Sequence, residues 1–159
     1  MRKSIIGQEP KREHEEREWL DLETLARVEV SSEESSHPVE SALQLDGGMG
    51  WRASTPGKQI LRLLFDQPQR IKRIYLLVHE QEVARTQEFV LRWLPEGQQS
   101  SREIVRQQYT FSPPSTNQEI EDYSVKLNGV TALELEIVPD ISGGGACASL
   151  AQMRLAQWP

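Results

Sequence analysis

A chain of 159 residues with 37% hydrophobic and 26% charged residues suits one globular domain with a tail and excludes a disordered chain or two independent cores. The formal net charge of -6 disfavours nucleic acid, although Arg70, Lys72 and Arg73 form a local basic run. The single Cys147 excludes an internal disulfide, and no Cys/His spacing has the pattern of a zinc site.

The N-terminal stretch "MRKSIIGQEPKREHEERE" lacks the apolar core of a signal peptide, and no window approaches a membrane span, so the expectation is a cytoplasmic protein without a membrane partner. From Gln8 to Arg27 the pattern predicts a helix. Pro10 stands where a first turn tolerates it, acidic residues crowd the early turns, and Trp19, Leu22, Leu25 and Ala26 recur at helical spacing. Residues 1–27 therefore form an N-terminal extension, helical from about 8, and 28–159 a separate domain. The stripe is short, so packing on its own domain is expected ahead of docking to a partner.

After Arg27 short runs alternate with turn residues. Strands are expected at Arg27–Ser31, Gln59–Phe65, Arg70–His79, Gln87–Leu94, Glu103–Phe111, Asp122–Leu127, Ala132–Val138 and Leu150–Gln157. In "ALELEIV" Leu133, Leu135 and Ile137 point one way and Glu134 and Glu136 the other. Likewise Tyr123, Val125 and Leu127 share one face, and Phe89, Leu91 and Trp93 another. The breaks "DQPQ", "PEGQQSS", "SPPSTNQ", "LNGV" and "PDISGGG" supply Pro, Gly or Asn for turns. Short antiparallel strands with polar turns imply an all-β fold, a β-sandwich.

Five stretches in order, "SSHPVESALQLDGGMGW", "KQILRLLFDQPQRIKRIYLLV", "QEFVLRWLPEGQ", "NGVTALELEIVPD" and "ASLAQMRLAQW", give residues from about Val28 to Trp158 a resemblance to the discoidin domains. These are also called coagulation factor 5/8 type C or galactose-binding-like domains. The order over most of the chain carries the resemblance, which implies a jelly-roll β-sandwich. Family members that bind calcium use an Asp in the loop matching "LDGGMGWRAS" and a late-strand Glu. Here Asp46 is present but the late position is Gln152, a neutral ligand that weakens a calcium site; no other cofactor is implied. The preferred reading makes Asp46, Gly47 and Trp51 structural: Asp46 accepting backbone N–H bonds, Gly47 turning, Trp51 lying beneath the loop.

Catalytic constellations are scarce, and the chain reads as non-enzymatic. His14, His37 and His79 share no ligand spacing, "HEQEV" is not a metalloprotease motif, and "SGGGA" lacks the lysine and helix of a phosphate loop. Glu119, Glu121 and Asp122 read as the wet edge of a strand, and Cys147 as a small residue beside a core strand. The resemblance places a ligand site among the loops "LDGGMGWRAS", "VHEQEVARTQ" and "DISGGGACAS", with Arg52, His79, Glu80 and Arg85 as the polar set. Two functions follow: a carbohydrate-binding module with a glycan partner, or an intracellular docking module with a protein partner.

Overall fold

Alternation of apolar and polar residues makes strands with one buried face, and two such faces must close on each other. The computed structural model describes residues 19–158. Its strands are β1 (Ala26–Val30), β2 (Trp51–Arg52), β3 (Gln59–His79), β4 (Arg85–Pro95), β5 (Arg102–Phe111), β6 (Gln118–Val138), β7 (Ser149–Leu150) and β8 (Gln152–Gln157). Two single helical turns, α1 (Leu22–Leu25) and α2 (Glu40–Leu43), complete the elements. The architecture is an antiparallel jelly-roll β-sandwich.

The sandwich is organised by one long ribbon. β3 and β6 are each 21 residues long and pair from Gln59↔Ile137 to His79↔Gln118. The breaks expected at "DQPQ" and "LNGV" are corners within continuous strands. Pairing shifts register between Leu64 and Arg73, so extra residues bend the ribbon without ending it. Pro68, which has no N–H to give, falls in that stretch, and Gly129 opposite it has φ +69°. The first half of β3 pairs with β1 and the second with β8, while β4 and then β5 extend the sheet beyond β6. One ribbon thus serves both layers.

Between them lie Leu61, Leu63, Ile74, Leu76, Phe89, Leu91, Leu133, Leu135, Ile137, Met153 and Leu155, all within a single buried cluster. The expected strand Leu150–Gln157 is interrupted at Ala151, where the chain passes from pairing with β2 to pairing with β3, the Ala151 N–H donating to the Leu77 carbonyl at 2.8 Å.

The helix expected over 8–27 is corrected where it can be seen; residues 8–18 lie outside the described residues. Trp19 forms an isolated bridge with Ala156, the Leu20 N–H donates to the Leu155 carbonyl at 2.8 Å, and α1 lasts four residues before Ala26 turns extended. Leu20 and Leu22 are buried in the core, so burial and edge pairing override helical periodicity. Residue 27 lies inside β1, and the bridge brings the two described ends of the chain together. Trp19 packs against Tyr75, with the Arg73 guanidinium 5.0 Å from its ring.

Candidate functional site

The break in "LDGGMGWRAS" arises from close backbone approach. Gly50, at φ +81°, passes so near β7 that an added Cβ would stand 2.9 Å from the Leu150 carbonyl oxygen. At Gly48 a Cβ would meet the backbone of Ser41, its carbonyl oxygen at 2.9 Å. Trp51 is 1% exposed and donates its indole N–H to the Ser32 carbonyl at 2.9 Å, fastening the loop to the segment after β1.

The expected role of Asp46 is corrected. Its carboxylate is exposed and holds no side-chain hydrogen bond among the described residues; the loop is held from below by Arg154. That buried guanidinium donates to the carbonyls of Ala42 (3.0 Å), Met153 (3.0 Å) and Gln44 (2.6 Å). Burial holds its pKa below the usual arginine range, opposed by Tyr75 and Asp46. Among the described residues no group of three or more His, Cys, Asp or Glu gathers to hold a metal ion.

At this end of the sandwich the loops enclose a cleft of about 620 Å³, lined among others by Met49, Arg52, His79, Glu80, Val83 and Cys147. Arg52 is exposed, its Nε 3.5 Å from Glu34 Oε1; Glu34 Oε2 lies 3.5 Å from His37 Nδ1. His79 projects from the last position of β3, where the ladder to Gln118 fixes its backbone. Met49 and Val83 are 77% and 47% exposed, giving the polar cleft an apolar rim. Cys147 is partly exposed.

Glu80 lines the cleft, but its oxygens are engaged. Oε2 accepts the N–H groups of Glu82 (3.2 Å) and Val83 (3.3 Å), and Oε1 accepts Arg85 Nε at 2.7 Å. Burial works against its ionisation, yet the hydrogen bonds from Arg85 and the two amides together hold the carboxyl below the usual carboxylate range. The residue shapes its own turn.

Arg85 does not reach the cleft. Its side chain is 1% exposed, which corrects the expectation of a ligand contact. Besides Glu80 it donates Nη1 to Gln87 Oε1 (3.1 Å) and the Pro139 carbonyl (2.6 Å), and it lies 4.7 Å from the Phe111 ring. Gln87 donates onward to Glu119 Oε1 at 2.9 Å. Glu119 is 1% exposed, so the wet-edge reading fails for it, while Asp122 is exposed and takes a bidentate pair from Arg73 at 2.8 and 2.6 Å. Burial first, then the neighbouring Glu121 carboxylate, push the Glu119 carboxyl up to about 8 against the pull of Gln87 and Arg85. Two buried atoms of this cluster, Arg85 Nη2 and Glu119 Oε2, have no partner among the described residues. The signal for the cluster was parity: Arg85 and Gln87 share the face of Phe89 and Leu91, and Glu119 the face of Tyr123 and Val125.

No protein-family model matches the chain, and no curated protein matches it. Solved structures do. The family 32 carbohydrate-binding module of NanJ from Clostridium perfringens, in complex with galactose, aligns at TM-score 0.61 and 13% identity over 86% of this chain and 96% of its own. An F5/8 type C domain from Bacteroides fragilis aligns at TM-score 0.58 and 14% identity over 89% of this chain and 99% of its own. The fold is the discoidin fold. Another match, at TM-score 0.58 and 14% identity, covers 85% of this chain and 98% of a chain in the complex of reduced XRCC1 with the catalytic domain of DNA polymerase β. At the loop end of that fold this chain gathers Arg52, His79 and Glu80, while Arg85 lies beneath them.

Proposed function

We propose that the chain is a non-catalytic glycan-binding module whose sugar occupies the loop-end cleft. One observation carries the reading: Arg52 and His79, from segments far apart in sequence, line one cleft beside an apolar rim of Met49 and Val83. A guanidinium and an imidazole suit ring hydroxyls, which both donate and accept, and an apolar rim suits the C–H face of a sugar. Trp51 is too deeply buried to supply a stacking ring, so Met49 and Val83 take that part. The galactose carried by the NanJ module supports a saccharide of this class.

The test is a titration of the isotopically labelled chain with galactose, read by amide shifts, beside a glycan array. Shifts confined to the loops of the cleft support the reading, and Arg52→Ala should weaken binding about tenfold or more while changing stability by no more than about 0.5 kcal/mol. Scattered shifts and an array without binders would overturn it. A second reading, protein docking at the same end, is favoured by the exposure of Met49 and Val83.

A further inference from the structure

The loop after Pro139 carries three consecutive glycines at 143–145 and has little stiffness of its own, so its distance from the turn at Glu80–Val83 needs something to fix it. Two of them meet at one buried cation. Through Glu80, Arg85 reaches the turn carrying Gln81, Glu82 and Val83; through the Pro139 carbonyl it reaches the start of the loop carrying Gly145, Ala146 and Cys147. We infer that Arg85 is a positioning residue that ties these two loops together and so sets the shape of the cleft without touching what binds there.

The geometry requires arginine. Nε faces Glu80 at 2.7 Å while Nη1 serves Gln87 and Pro139 at 3.1 and 2.6 Å, and a planar guanidinium presents donors in these separate directions at once. A lysine ammonium offers one compact charge on a flexible stem. Holding a cation at 1% exposure with Nη2 unpartnered among the described residues is costly, and an apolar side chain beside Phe111 would avoid that cost. What the arginine supplies in return is a fixed link between two loops, which lets the cleft exist before a ligand arrives and spares binding the cost of ordering it.

Only the affinity arm of the test rests on the glycan reading. In the full chain, Arg85→Lys should speed hydrogen exchange at the Glu82 and Val83 amides and at the Ile141 amide together, about tenfold or more, with the Leu61 and Leu135 amides within about twofold of wild type. In the same variant galactose should bind at least about fivefold more weakly. Faster exchange in one loop alone, or in neither, would overturn the inference. Unchanged galactose affinity with both loops loosened would overturn the claim that the tie shapes the binding cleft. Should Arg85→Lys fail to fold, Glu80→Gln decides: faster exchange at Ile141, in the loop beyond Pro139, supports coupling through Arg85, and an unmoved Ile141 overturns it. If wild type binds no galactose, the exchange measurements still decide whether Arg85 couples the loops.

Discussion

Arginine meets glutamate on two sides of this sandwich under opposite conditions. Across the outer face of the sheet, Glu29, Arg62, Glu134 and Arg92 stand in register on β1, β3, β6 and β4, with contacts of 3.2, 2.7 and 3.3 Å. These side chains are partly exposed, water competes for each contact, and salt screens it. At the loop end, Arg85 and Glu80 meet at the same 2.7 Å with the guanidinium out of water. Equal distances conceal unequal consequences: the ladder can lose a rung to solvent, whereas Arg85 is left as an uncompensated buried charge when Glu80 goes.

Arg85→Met should destabilise the domain by about 3–5 kcal/mol in urea unfolding, because it takes the counter-ion from Glu80 and leaves Gln87 Oε1 and the Pro139 carbonyl without their buried donor; a loss below about 1 kcal/mol would break the comparison.

Next comes the buried carboxyl behind Arg85. Glu119 ionises near 4.5 when unfolded but keeps its proton up to about 8 when folded. Across that window the unfolded chain has released a proton that the folded chain retains. Its contribution to stability is complete below pH 4.5 and is lost as pH rises through 8, with a slope of at most about 1.4 kcal/mol per pH unit. Glu119→Gln should remove that slope, so the variant gains on wild type as pH rises, as read by unfolding at about pH 5, 6.5 and 8. Parallel pH profiles would show that Glu119 is already ionised in the folded chain.

The smallest effect belongs to the ladder. Glu134→Gln removes the carboxylate shared by Arg62 and Arg92, yet should cost less than about 1 kcal/mol, and the difference should fade in about 1 M salt. A larger, salt-insensitive loss would mean that the outer face behaves like an interior.

Much of this was legible in the chain. Leu133 and Leu135 in "ALELEIV" are buried and its glutamates face outward because a pleated strand has a period of two whatever its neighbours do. The turn segments were legible too, but whether "DQPQ" ended a strand or bent one depended on β6 following it around the corner. The site was half legible. Arg52 and His79 line the cleft as their loop positions implied, while Arg85 shares the inward face of Phe89 on β4 and is buried. Read as a loop residue it was a ligand contact; read by its parity with Phe89 it was interior.

Local order along the chain suffices for the alternation that makes strands, for the glycines that allow the chain at Gly48 and Gly50 to pass close to other backbone, and for the apolar surface that must be buried. Packing between distant segments is what puts Leu20 and Leu22 in the core in place of extending a helix, makes Arg154 rather than Asp46 the holder of the opening loop, and keeps Glu119 dry. Periodicity is set by bonds between near neighbours, whereas burial and hydrogen-bond partnership depend on segments remote in the chain, as Arg154 is from Ala42 by 112 residues.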